Sequence, residues 1–128
     1  MKYYFEKILK TDFETAVAQT KEALKSEGFG VLSEIDIHEK LKEKLGVDFR
    51  RYNILGACNP AYAYKALQKE DKIGVMLPCN VIIQERTNGK IEVAAIDPAV
   101  SILSIENDDL SEIATEIRAK LQNVIEQL

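Results

Sequence analysis

Tryptophan is absent from this chain, histidine occurs once, cysteine twice and proline three times. One histidine and two cysteines are too few for a closed zinc site with its four ligands. Two cysteines in 128 residues also exclude a disulfide scaffold, and they fit reduced thiols in a reducing compartment. Basic charge is not in excess: 17 Lys and Arg face 21 Asp and Glu, for a net charge of -4. A nucleic-acid or anionic membrane surface needs a basic patch, so neither partner is expected. No uncharged apolar run approaches the roughly 20 residues of a membrane span. The opening Met1-Lys2-Tyr3-Tyr4-Phe5-Glu6 has no apolar leader core, so the expected setting is soluble and cytoplasmic.

What is present is ordinary globular composition, 46% hydrophobic and 30% charged, enough for one domain over 1–128 with its own core. Tyr3 to Leu9 is aromatic and β-branched enough for a first strand. Thr11-Asp12-Phe13-Glu14 has the spacing of a capping box. The helix it opens places Phe13, Val17, Thr20 and Leu24 on one face, with Ala16 and Ala23 beside them, and Gly28 stops it. Val31 to Ile35 reads as a second strand. Asp36 then caps a short helix repeating at Ile37, Leu41 and Leu45 and closed by Gly46. A third strand ends at Cys58, and Asn59-Pro60 starts another short helix running to about Lys69.

Ile73 to Leu77 reads as a buried strand ended by Pro78. Val81 to Arg86 and Ile91 to Ile96 flank Thr87-Asn88-Gly89, the strongest hairpin signal in the chain. Asp97-Pro98 ends the hairpin, and Ala99 to Ile105 is left between a strand and an extended loop. Asn107 or Asp108 caps a last helix with Leu110, Ile113, Ala114, Ile117, Leu121, Val124 and Leu128 inward. These elements predict an α+β two-layer sandwich, a mainly antiparallel sheet with the two long helices sharing one face.

Two stretches echo each other, Leu55-Gly56-Ala57-Cys58-Asn59-Pro60 and Leu77-Pro78-Cys79-Asn80-Val81. They hold both cysteines and two Cys-Asn pairs. At Cys58-Asn59-Pro60 and Pro78-Cys79-Asn80 the chain resembles the domain of unknown function 302 family. Gly28-Phe29, Glu34-Ile35-Asp36, Lys44-Leu45-Gly46, Tyr52 with Leu55-Gly56-Ala57, and Asp97-Pro98 carry the same resemblance, which runs from about Phe5 to the C-terminus. It implies a TATA-box-binding-protein-like α+β fold in β-α-β(4)-α order, with the Leu41 and Ala63 segments as short inserted helices. It implies no established activity and no DNA binding.

From the residues alone, Cys58, Asn59, Cys79 and Asn80 form the candidate ligand site. Two thiolates can hold a two-coordinate soft cation such as Cu(I), which makes Cys58 and Cys79 the candidate metal ligands. The asparagine amides can hold a thiolate or a ligand carbonyl. The plainer reading is that both cysteines are small buried hydrophobes and both asparagines are turn residues. Three functions follow: a small-ligand or soft-metal binding or sensor domain, a thiol-dependent redox or sulfur-transfer enzyme with Cys58 as nucleophile, or a structural module with inert cysteines that forms a homodimer through a sheet edge. The first leads.

Other candidates carry less. His38 beside Glu39 is an acid–base pair with no visible partner. Asp36 and Asp97 are acids explained by a helix cap and a strand end. Tyr3-Tyr4-Phe5 and Tyr62 with Tyr64 are candidates to line an apolar pocket, although aromatics there are core more often. Lys42, Lys44, Arg50 and Arg51 are a basic cluster interleaved with acids. Gly28-Phe29-Gly30 lacks the spacing and lysine of a phosphate loop.

Overall fold

The chain runs β1 (Tyr4–Leu9), α1 (Phe13–Ser26), β2 (Gly30–Asp36), α2 (Ile37–Leu45), β3 (Tyr52–Cys58), α3 (Pro60–Lys69), β4 (Cys79–Glu85), β5 (Ile91–Ile96), α4 (Pro98–Ser101) and α5 (Ser111–Glu126). The structure is a computed structural model and describes residues 2–128. All five strands join one sheet in the order β1-β5-β4-β3-β2, and every pairing is antiparallel. The expected α+β architecture is therefore what forms, with α2 inserted between β2 and β3 and α3 between β3 and β4.

Cross-strand partners share a face of the sheet, so the register sorts the strands into rows. Leu55, Val81, Ala95 and Phe5 make one row, and Asn53, Ile83, Val93 and Lys7 make the next. These rows face α1 and α5. Leu55, Val81, Ile83 and Val93 are fully buried. From above they meet Ala16, Thr20 and Leu24 of α1, and Ile113, Ala114, Ile117, Leu121 and Val124 of α5. Thr20 is tolerated there because its hydroxyl donates to the Ala16 carbonyl at 2.7 Å.

Helix ends follow local chemistry. Gly28 at φ 84° and Gly46 at φ 67° close α1 and α2, as glycine alone does cheaply. At the start of α1 the cap is Asp12, which accepts from the Thr15 amide at 2.7 Å. The capping box expected from Thr11 does not form. A carboxylate takes the stronger charge-assisted bond one residue later, and Glu14 is engaged by Arg51 instead. That engagement holds the Glu14 carboxyl below its usual range.

Two further expectations fail. Ile73 to Leu77 is no strand but a 3₁₀ turn, Ile73–Met76, closed by Val75 and Leu77 amides donating to Lys72 and Gly74. Its place beside β3 is taken by β4, so the segment closes on itself and leaves Val75 84% exposed. Ala99 to Ile105 is not extended: Asp97 accepts from the Ala99 amide at 2.9 Å and starts α4 at Pro98. Asp97-Pro98 therefore works as Asn59-Pro60 does, with proline pre-set in a first helical turn.

Candidate functional site

Among the described residues no helix covers the other face of the sheet, and its rows have a different composition. Tyr52, Gln84, Glu92 and Ile8 form the first row, and Ile54, Ile82, Ala94 and Glu6 the second. Ser33, Gly56 and Asn80 form the third. Ala94 is the short side chain among longer neighbours, so the face sinks around it. The resulting hollow, about 470 Å³, has Ile82 and Ala94 in its floor and Tyr3, Tyr4 and Tyr52 in its walls.

A polar chain crosses this face. Arg50 Nε donates to Gln84 Oε1 at 2.8 Å, and Gln84 Nε2 donates to Glu92 Oε1 at 2.7 Å. Arg86 Nη1 reaches the same carboxylate oxygen at 3.4 Å. Arg50 is itself stacked on Phe49 and Tyr52, with its guanidinium 4.4 Å and 5.6 Å from the ring centres. Gln84 is only 6% exposed. A buried amide with both ends satisfied keeps a fixed orientation, which pre-sets the Glu92 carboxylate. Burial also raises the pKa of the Tyr52 phenol, keeping it a neutral hydrogen-bonding group.

The four residues singled out by the Cys-Asn motifs go to different places. Asn80 is exposed and lines the hollow. Asn59 turns back into the scaffold, where its Nδ2 donates to the Glu27 carbonyl at 3.3 Å and ties the start of α3 to the end of α1. Cys79 sits opposite Ala57 in the ladder, on the helix-covered face, while alternation along β3 gives Cys58 the other face. Both are free thiols beyond bridging distance of each other. Burial, helped by the nearby Cys58, pushes the Cys79 thiol from 9.0 up to about 11. At neutral pH it is a protonated core thiol.

Gly56 and Pro78 belong to this corner. A Cβ at Gly56 would stand 2.3 Å from Ser33 Oγ and 2.8 Å from Pro78 Cγ, so glycine here lets both neighbours close over the sheet. The Leu77-Pro78 peptide is cis. The apparent duplication of the two motifs thus has two causes: Asn59 and Pro60 begin a helix, whereas Cys79 and Asn80 begin a strand.

Most of the remaining candidates are tied into the scaffold. The Tyr52 amide donates to His38 Nδ1 at 2.9 Å, which makes that nitrogen the acceptor and fastens α2 to β3. Asp36 makes no cap bond and instead accepts from Asn53 Nδ2 at 2.9 Å. Asp97 pairs with Arg118 at 3.0 Å, and β3 and β4 separate it from Asp36. Tyr3 and Tyr4 do line a hollow, whereas Tyr64 is 66% exposed and Tyr62 packs against the core. Sequence reasoning missed Tyr52, Gln84, Glu92 and Ala94 as site residues. Their signal was period-two alternation in β3, β4 and β5, which puts Asn80, Ile82 and Gln84 on the face away from Val81 and Ile83.

Among the described residues no helix is long and apolar enough to cross a membrane. No group of three or more His, Cys, Asp or Glu is placed to hold a metal ion among them.

The chain is 29% identical over 94 residues to an uncharacterized protein of Aquifex aeolicus (strain VF5). That match covers 73% of this chain and 59% of the relative, so the chain spans little more than half of that protein's length. It also superposes on the crystal structure of an uncharacterized conserved DUF302 protein from Bacillus stearothermophilus with a TM-score of 0.91. The identity there is 30%, and 99% of this chain and 98% of the other are covered. Residues 5–128 match the family described as Domain of unknown function DUF302, a span that takes in every helix and all of the sheet but Tyr4, and the chain belongs to this family.

Proposed function

We propose that this domain binds a small molecule on the open face of its sheet, with Asn80 at one end of the site and the Gln84–Glu92 pair at the other. The supporting observation is the hollow itself. It combines an apolar floor, tyrosine walls and a few fixed polar groups, the composition of small-molecule sites in general. Its volume, about 470 Å³, lies within the range of such sites. The free thiols Cys58 and Cys79 accord with a cytoplasmic setting.

Fragment screening by two-dimensional ¹H–¹⁵N NMR tests the reading. Hits are expected to move the side-chain amides of Asn80 and Gln84 together, and Tyr52→Ala is expected to abolish those shifts. If hits gather instead around Phe13, His38 and Arg51 beneath α1, the open face is not the site. If the same amides shift with protein concentration alone, a second copy of the chain covers that face, and the structural-module reading replaces this one.

A further inference from the structure

Most charges around the hollow are taken up by one another. The two carboxylates in its lining are Glu6 and Glu92. Lys2 Nζ lies 3.3 Å from Glu6 Oε1, and Arg86 Nη1 lies 3.4 Å from Glu92 Oε1. Glu92 also accepts from Gln84 Nε2 at 2.7 Å. Each lining carboxylate thus has a cation beside it. Arg50 is different. Among the described residues its guanidinium meets no carboxylate, and its hydrogen bond runs from Nε to Gln84 Oε1 at 2.8 Å.

That guanidinium is also held in place. It stacks on Phe49 and Tyr52, whose ring centres lie 6.3 Å apart. Two of its three partners, Tyr52 and Gln84, belong to the lining, so the charge stands at the rim of the hollow. With Nε given to Gln84, the Nη1 and Nη2 edge of the fork is left for an acceptor from outside the chain. A fork already fixed by two rings and an amide loses little freedom on taking one. Its charge is felt at the wall. Burial raises the Tyr52 pKa, and Arg50 works against that rise more strongly than Glu92 adds to it.

Building on the proposed binding role, we infer that the hollow recognises an organic carboxylate: a flat or apolar body over Ile82 and Ala94, with its two oxygens on Nη1 and Nη2 of Arg50. A planar carboxylate matches the planar fork with two parallel charge-assisted bonds. An ammonium of the same shape would have to share Glu6 with Lys2, or Glu92 with Arg86 and Gln84. The carboxylate instead completes the one ion pair that the chain leaves open at the rim.

The test compares three probes that share a phenylethyl body: 3-phenylpropionate, phenethylammonium and neutral 2-phenylethanol. Each is titrated against the full chain at low salt, following the Asn80 and Gln84 side-chain amides and the Arg50 Nε–H. The carboxylate should bind about fivefold or more tightly than either of the others, and added salt should narrow the gap. Arg50→Gln, at an exposed position, should remove that preference with the backbone spectrum otherwise intact. Arg50→Lys keeps the charge without the fork and should retain only part of it. Equal or tighter binding of the ammonium overturns the inference, as does a carboxylate preference that survives Arg50→Gln. Equal binding of the alcohol overturns it too, yet leaves the hollow standing as a site for uncharged ligands. If no probe binds but a broad fragment screen finds hits on this face with no excess of acids, the inference falls and the binding role stands. If that screen also fails, both fall.

Discussion

Along β4, Val81 and Ile83 meet the helices with no solvent exposure, while Asn80, Ile82 and Gln84 between them meet the open hollow. The same alternation in β5 sends Ile91, Val93 and Ala95 to the core and Glu92 and Ala94 outward. One backbone thus carries two surfaces that answer to different constraints. The covered face is selected for volume and apolarity, since every methylene removed leaves a void. The open face has no helix to fill against, so it can hold an amide chain, three tyrosines and a depression around one alanine. Stability resides chiefly in the first face, and the proposed recognition chemistry belongs to the second.

That division is breakable, and the largest effect belongs to the covered face. Ile83→Ala should lower the unfolding free energy by about 3 kcal/mol in urea titrations, against about 1 kcal/mol for Ile82→Ala on the open side. Equal costs would mean that something covers the open face in solution.

Cys79 sharpens the comparison through pH. The unfolded chain releases this proton near pH 9, whereas the folded chain keeps it to about 11. The folded state therefore binds more protons between those values. Stability is full below pH 9, falls as pH rises toward 11 and is flat beyond. The loss from this one group is about 3 kcal/mol. Cys79→Ala should show a shallower decline over that window in denaturant titrations, and an unchanged slope would place the thiol in water.

On the open face, Gly56 leaves no room for a side chain. Gly56→Ala drives a methyl into Ser33 Oγ and Pro78 Cγ, and should cost about 2 kcal/mol by thermal or urea unfolding. Ser33→Gly in the same chain should recover part of this, because the hydroxyl is the nearer obstacle, while the proline ring remains. The smallest stability effect is expected at the proposed site itself. Asn80→Ala should stay within about 0.5 kcal/mol of the wild type, since its side chain is exposed and makes no hydrogen bond among the described residues. A larger loss would assign Asn80 to the scaffold alongside Asn59.

Much of the architecture was legible because the patterns were long. The inward positions expected from Leu110 to Val124 all turn out buried, although Leu110 ends a 3₁₀ turn, Asp108–Leu110, that Asn107 caps just before α5. Asn88-Gly89 turns the hairpin with Gly89 at φ 78°. Short segments were less legible. Ile73 to Leu77 has strand composition, but its neighbours in the sheet decide its form, and no local pattern reports that β4 already occupies the place beside β3. Thr11 and Asp12 both suit a cap, and the choice depends on Arg51, thirty-seven residues from Glu14. The candidate site was half visible. Asn80, Tyr3 and Tyr4 were named from sequence, but the Cys-Asn echo suggested a thiol pair. Strand alternation divides that pair between two faces, since consecutive positions on a strand cannot share one.

The position of β1 sets an order of assembly. Among the described residues its ladder partner is β5 alone, and Lys7 further donates to the carbonyl of Glu126. The first strand is thus paired by the last, from Tyr4 opposite Ile96 to Leu9 opposite Ile91. Contacts that span so much sequence form late, after the β4–β5 hairpin has given them an edge to join. During synthesis, then, the N-terminal strand waits without its partner until the chain has grown past Ile96. The tyrosine wall it carries is accordingly the last part of the hollow to be built.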